Sequence, residues 1–224
     1  MTTGYAASYR RSLDEPEDFW AEAAAAIDWE RPWDRVLDDS KAPFYRWFSG
    51  GVLNSCYNAL DRHADGGRGA QPALIHDSAM TGKIQRISYS ELRDRVALFA
   101  GALAVENVVK GDRVVIYMPM IPEAVIAMLA CARLGAVHSV VFGGFAAREL
   151  AVRIDDAAPK IIVSASCGLE PGRIVEYKPL LDEALRTARH KPRRCIVFQR
   201  PECTAPLTPG LDVDWEESLA GALP

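Results

Sequence analysis

Residues 111–164 set the strongest constraint on what this chain can fold into. They read GDRVVIYMPMIPEAVIAMLACARLGAVHSVVFGGFAARELAVRIDDAAPKIIVS. Three short runs rich in β-branched residues lie at 113–118, 136–142 and 160–164. A solidly apolar segment, 122–134, separates the first two, and a mixed segment, 146–157, separates the second two. Strand, helix, strand, helix, strand at this spacing predicts a parallel sheet with crossover helices on both faces. Val114-Val115-Ile116, Val140-Val141-Phe142 and Ile161-Ile162-Val163 are continuous rather than alternating, so all three are expected to be buried on both faces. Segment 122–134 is apolar almost all round and predicts a deeply sandwiched helix with Gly135 as its C-terminal cap.

The flanking chain reads as leading into this unit. An aromatic-rich N-terminal arm comes first. Within 5–27, Asp14 and Glu17 fit a capping box with Pro16 in the first turn, and Phe19, Trp20 and residues 23–27 continue that helix. Residues 29–51 hold Trp29, Trp33, Phe44, Tyr45, Trp47 and Phe48 without helical or strand period, which predicts an extended stretch pinned by large side chains. Asn54 caps a helix over 55–64, and the run Asp65-Gly66-Gly67-Arg68-Gly69 ends it in a loop. Strands 73–78 and 84–89 form a hairpin around Gly82. Ser88 and Glu91 make a capping box for a long helix whose apolar face is Leu92, Val96, Phe99, Ala100 and Leu103. Downstream come a loop over 167–177, a helix over 179–189, a strand at 195–198 and a short helix at 215–220.

Charge and cysteine usage narrow the function. The net charge is −4 and basic residues are scattered, which argues against nucleic acid as partner. Cys56, Cys131, Cys167, Cys195 and Cys203 include no CxxC pair and lie near no histidine set, so no metal site is expected and a reducing cytoplasm suits them. The most apolar run, 121–134, contains Glu123 and Arg133 and is far shorter than the roughly 20 residues that span a bilayer. No membrane role is expected, nor is any apolar signal segment visible at the start. His63, His76, His138 and His190 show no partner pattern, and no residue is assigned a catalytic role.

In sheets of this type ligands gather at the carboxyl ends of the strands. Those ends are 118–122, the Gly143-Gly144-Phe145 loop and 164–173. The turn Glu170-Pro171-Gly172-Arg173 is the candidate site among them. Pro171 and Gly172 fix a tight bend, the glycine lets a ligand approach, and Arg173 can fork onto a phosphate. From these residues alone a solvated turn is the favoured reading over a phosphate site.

Several ordered motifs then resemble one family. They are Gly111-Asp112-Arg113-Val114, Tyr117-Met118-Pro119, Pro122-Glu123, the run Ala130-Cys131-Ala132-Arg133-Leu134-Gly135-Ala136, and Val140-Val141-Phe142-Gly143-Gly144-Phe145. Together they resemble the AMP-forming acyl-CoA synthetases of the adenylate-forming superfamily. Residues 9–20 and 53–63 add a resemblance to the acetyl-CoA and propionyl-CoA synthetase branch. The resemblance implies an N-terminal extension over 1–64 and the first part of the AMP-binding domain over 65–224. It implies that Glu170, Pro171, Gly172 and Arg173 contact coenzyme A. The acetyl-CoA type commonly has arginine where this chain has Glu170, so the propionyl type is expected. It also implies ATP and magnesium in a complete enzyme. The family's Ser/Thr/Gly-rich phosphate loop ending in Pro-Lys-Gly, its Thr-Gly-Glu motif and its C-terminal lysine do not occur in these 224 residues. The chain is therefore expected to act with the missing remainder of the ligase as its partner. A non-catalytic module that binds CoA or another protein is the alternative.

Overall fold

The computed structural model describes residues 4–143 and 146–224. Two compact units divide the chain, Met1–Asn58 and Ala59–Pro224.

In the first unit a helix α1 (Tyr5–Asp14) precedes α2 (Pro16–Ala24), where one helix capped at Asp14 was expected. Glu15 precedes a proline and sits at φ −131°, outside the helical region. Proline disfavours helical geometry in the residue before it, so the helix must break there. The cap residue of α2 is Glu15 without a side-chain cap bond, so the expected Asp14/Glu17 capping box does not form. α2 stops at Ala24, whose carbonyl accepts a hydrogen bond from the Trp29 indole at 3.0 Å. The aromatic stretch is a correction as well. It contains an antiparallel hairpin, β1 (Arg35–Asp38) and β2 (Arg46–Ser49), in register through Leu37 and Trp47. Each strand has four residues and is largely open to solvent, so neither shows an alternating apolar signal. Trp29, Trp33 and Phe48 do pin the chain, with ring centroids 5.1–5.5 Å apart. Asn54 caps the following turn by accepting from the Tyr57 amide at 3.1 Å. The expected helix over 55–64 contains a π-helical turn, Tyr57–Asp61, and a second π-helical turn, Ala64–Arg68, follows where a loop was expected.

The second unit carries the expected α/β architecture. Strands β3 (Pro72–Ser78) and β4 (Lys83–Ser88) form the hairpin, with Gly82 at φ +65°. Helix α3 (Tyr89–Val105) starts at Ser88 with both bonds of the capping box: Glu91 N–H to Ser88 Oγ and Ser88 N–H to Glu91 Oε2. Then come β5 (Arg113–Met118), α4 (Pro122–Leu134), β6 (Val137–Phe142), α5 (Ala147–Ala157) and β7 (Ile161–Ala165). A small hairpin, β8 (Cys167–Glu170) with β9 (Arg173–Glu176), occupies the expected loop over 167–177. Helix α6 (Tyr177–Thr187), β10 (Arg194–Phe198), β11 (Asp212–Asp214) and α7 (Trp215–Ala220) complete the unit.

The main sheet has the order β11-β10-β7-β5-β6, parallel throughout. From β5 the chain steps one way to β6. It then crosses back over β5 to β7 and continues to β10. Right-handed crossovers in opposite directions place their helices on opposite faces. α5 and α6 accordingly cover Val115, Tyr117, Ile162 and Cys195. On the other face α3 packs against α4 and α7, with Phe99 stacked on Trp215 at 3.8 Å. Helix α4 has no exposed position and ends at Gly135, φ +70°, as expected.

One burial expectation fails. β5 and β7 are buried, but in β6 Val137 and Val140 are about half exposed and Phe142 is 70% exposed. β6 is the edge strand, with β5 as its neighbour on one side, and of the run Val140-Val141-Phe142 only Val141 is buried.

Asp112 joins three segments at the amino end of β5. Its carboxylate accepts from Lys160 Nζ at 2.8 Å and from the Val109 amide at 2.9 Å. The lysine hydrogen bond, then the amide, hold its pKa below the ordinary 3.8. A carboxylate depressed by folding stabilises the fold above its unfolded pKa and loses that contribution as pH falls through the folded value. Asp112→Asn should therefore lower the thermal midpoint at pH 7, and the gap to wild type should narrow by pH 3. A gap of equal size at both pH values in circular-dichroism melts would show that the carboxylate's charge is not what matters. Cys56, Cys131, Cys167 and Cys195 are buried whereas Cys203 is partly exposed, and burial pushes the Cys131 thiol up to about 12. A thiol reagent should label Cys203 in the native protein and the other four only after unfolding, as counted by mass spectrometry of the labelled peptides.

Candidate functional site

The direction of the crossovers changes between β5 and β7, and open sheets bind ligands beside such a switch, at the strands' carboxyl ends. Three segments form this rim: the one after Met118, the one after Phe142, and the β8–β9 hairpin after Ala165. Of the Gly143-Gly144-Phe145 loop, Gly144 and Phe145 lie outside the described residues.

The four predicted site residues come together as the tip of one hairpin. Glu170 closes β8, Arg173 opens β9 opposite it, and Pro171-Gly172 is the two-residue connection. Gly172 sits at φ +75°, a conformation that strains any residue with a Cβ, and the space around it is open. Arg173 donates from Nε to Glu170 Oε2 at 2.7 Å, and its Nη2 lies 2.6 Å from the same oxygen. The side chains are 69% and 42% exposed, so the pair adds little stability. Its effect is orientation: Nε and Nη2 of the guanidinium are both committed to Glu170. Glu170 is thus the arginine's holder in this structure.

The hairpin tip forms one wall of an open groove of about 470 Å³. Leu169 to Ile174 line that wall, and Ala79 and Met80 of the β3–β4 turn line the other. Sequence reading singled out the first wall and missed the second, because a turn of the form Ser78-Ala79-Met80-Thr81-Gly82 carries no ligand signal of its own.

Beneath the turn an aromatic pair fixes the hairpin to the sheet. Tyr177, the first residue of α6, stacks on Tyr117 of β5 with centroids 4.9 Å apart. Its ring lies between two glycines. A Cβ on Gly143 would fall 2.0 Å from the Tyr177 hydroxyl, and one on Gly168 would fall 2.8 Å from the ring. The Tyr117 hydroxyl donates to the Gly143 carbonyl at 3.4 Å. Burial raises both phenols, Tyr117 to about 12, so both are neutral near pH 7 and neither is a base. Ser166 adds a second anchor. Its carbonyl accepts from the Tyr177 amide at 3.0 Å and its hydroxyl from the Arg200 amide at 2.8 Å. The Arg200 guanidinium is buried and donates to the Cys167 carbonyl at 3.4 Å. Among the described residues no group of three His, Cys, Asp or Glu side chains is arranged to hold a metal ion.

Comparison with known proteins places these features. The family model described as "Acetyl-coenzyme A synthetase N-terminus" matches residues 5–59, and that described as "AMP-binding enzyme" matches residues 60–217. The chain belongs to the AMP-binding enzyme family. It is 51% identical over 97% of its length to acyl-CoA synthetase short-chain family member 3, mitochondrial, of Rattus norvegicus, and covers 32% of that protein. It is 46% identical over 96% of its length to propionate–CoA ligase of Salmonella typhimurium, covering 35% of it. Among solved structures, acetoacetyl-CoA synthetase from Streptomyces lividans matches with a TM-score of 0.88 and 32% identity, over 99% of this chain and 34% of that one. The chain thus spans about a third of the length of its relatives and corresponds to their N-terminal part. The α/β fold read from residues 111–164 and the resemblance to acyl-CoA synthetases both hold.

The glycine bed of Tyr177 gives a direct test. Gly168→Ala should lose about 1–3 kcal/mol of stability, because the ring must leave its stack to make room. Gly221→Ala, where nothing lies near the added atom, should stay within about 0.5 kcal/mol of wild type. Chemical denaturation of the two variants checks this, and equal midpoints would sink the assignment of Gly168 as a packing requirement.

Proposed function

We propose that this chain is the N-terminal part of a short-chain acyl-CoA synthetase, an AMP-forming ligase of the propionyl type acting in the cytoplasm. The observation that carries the reading is the similarity to such enzymes over nearly the whole chain, through both family segments in tandem. The complete reaction joins a short carboxylate to CoA in two steps. The carboxylate attacks the α-phosphate of ATP, forming acyl-AMP and releasing pyrophosphate. The CoA thiol then attacks the acyl carbon, forming the thioester and releasing AMP. Preference for propionate rests on Glu170, since the acetyl-CoA type commonly has arginine there, and on the likeness to propionate–CoA ligase.

In this reading the β8–β9 turn contacts CoA. Arg173, held by Glu170, meets a phosphate of the coenzyme with charge-assisted hydrogen bonds. Pro171 and Gly172 keep the turn narrow enough for the ligand to approach the backbone. ATP and magnesium belong to the phosphate loop and lysine motifs, which these residues do not contain. This chain's share of the work is to hold the sheet and present the rim.

Two measurements test the proposal. Purified alone and given ATP, magnesium, propionate and CoA, the 224-residue chain should release no pyrophosphate; turnover at ordinary ligase rates would show that it carries the phosphate chemistry itself. Exchanged for the corresponding segment of the Salmonella typhimurium propionate–CoA ligase, it should give a ligase that makes propionyl-CoA. A soluble, folded chimera without that activity would overturn the reading.

A further inference from the structure

Two cysteines from distant parts of the chain converge at the base of the β8–β9 hairpin. Cys167 is the first residue of β8 and pairs with Glu176, the last residue of β9. Opposed residues of antiparallel strands project to the same face, with Cβ atoms about 4.5–5.5 Å apart. The Cys203 thiol meets that same carboxylate, with Sγ 3.8 Å from Glu176 Oε1. A second bridge runs through Arg200. Its guanidinium donates to the Cys167 carbonyl at 3.4 Å, and its own carbonyl accepts from the Cys203 amide at 3.2 Å. The two thiols differ in access: Cys167 is buried, whereas Cys203 is partly exposed on the turn that follows β10. Burial raises the Cys167 thiol above its ordinary value. Arg200 pulls it down, and the charges of Cys203 and Glu202 push it up, so the electrostatics also put the two sulfurs within range of each other.

We propose that Cys203 and Cys167 form a peroxide-responsive thiol pair, in which Cys203 takes the oxidant and Cys167 resolves it as a disulfide. Access sets the order, because oxidation begins at the thiol that solvent reaches. In the first step the Cys203 sulfur attacks one oxygen of hydrogen peroxide. The O–O bond breaks, Cys203 becomes a sulfenic acid, and the other oxygen leaves as water. Glu176 accepts the Cys203 S–H hydrogen bond and so is placed to take that proton and hand it to the leaving oxygen. In the second step the Cys167 sulfur attacks the Cys203 sulfur. The S–O bond breaks, and the departing hydroxide takes up the Cys167 proton as a second water. Together the two thiols lose two electrons to one peroxide. Cys167 needs no path to solvent, because its target is a neighbouring sulfur. Cys203 stands on a turn outside the main sheet, which can yield toward the fixed strand β8. The disulfide ties the base of the hairpin to the segment leaving β10. This inference does not depend on what the tip of the hairpin binds.

The test is mass spectrometry of the native, reduced 224-residue chain after brief treatment with dilute hydrogen peroxide, the remaining thiols being alkylated in denaturant. A species lighter by the mass of two hydrogen atoms should accumulate. Its digest should contain one linked peptide joining Cys167 to Cys203, and dithiothreitol should separate the two halves. Cys203→Ser should lose the linked peptide and leave Cys167 reduced. Cys167→Ala should stop Cys203 at the sulfenic acid, which dimedone traps. Melting midpoints report whether each variant folds, and the linkage in the wild-type chain decides the matter even where Cys167→Ala does not fold. If wild-type Cys203 ends as a sulfinic acid, or linked to a second chain, while Cys167 stays reduced, the pair does not exist. If Cys167 is oxidised in Cys203→Ser as fast as in wild type, Cys203 is not the entry point and the proposal fails. It fails equally if neither thiol reacts before the chain unfolds.

Discussion

Strand β5 can satisfy its backbone only when β6 and β7 are both paired to it. It lies between them, in register from Arg113 to Met118 on one side and from Val114 to Tyr117 on the other. From Val114 to Met118 its side chains are buried on both faces, so water cannot replace either set of hydrogen bonds there. Helix α4 leaves toward β6 and α5 returns to β7, which closes the unit around β5. The amino end of the strand is fastened through Asp112 to Lys160 and the Val109 amide. Its carboxyl end carries Tyr117, on which the site hairpin is seated. One strand therefore sets the level of the rim and the position of the turn that projects from it.

From that rim the hairpin gains its definition by packing, since the Glu170–Arg173 ion pair is too exposed to fix it. Tyr177 is held from three directions: by the Tyr117 ring, by the flat surfaces of Gly143 and Gly168, and by the Ser166 carbonyl on its amide. Arg200, buried in a proline-rich segment, secures the Cys167 carbonyl at the start of β8. The exposed tip is thus carried on a base of buried contacts.

The core of the fold was legible because its signals are local and strong. Continuous β-branched runs, the Ser88/Glu91 capping box and Gly135 each act through a neighbour a few residues away, and each stands where expected. The failures have physical reasons of other kinds. The β1–β2 and β8–β9 hairpins have strands of only four residues, too short for an alternation to mark them. Pro16 acts through Glu15, which shifts the helix break by one residue and cancels the capping box. β6 has the composition of a central strand and the position of an edge strand, and composition cannot distinguish the two. Of the candidate site, Glu170–Arg173 was legible as a Pro-Gly turn with flanking charges. The opposite wall at Ala79 and Met80, and the supports at Ser166, Tyr177 and Arg200, arise from tertiary contacts between distant segments.

The pairing of Arg173 with Glu170 also bears on how an anion reaches the turn. Seen from beyond a Debye length, about 8 Å at physiological ionic strength, the pair is a dipole and exerts almost no net pull. The chain as a whole carries −4, so nothing in its overall charge draws a polyanion inward. In the coenzyme-binding reading proposed above, capture at this turn is short-ranged, decided by contact with the guanidinium. The association rate should accordingly be nearly indifferent to salt, unlike that of a site fronted by uncompensated arginines.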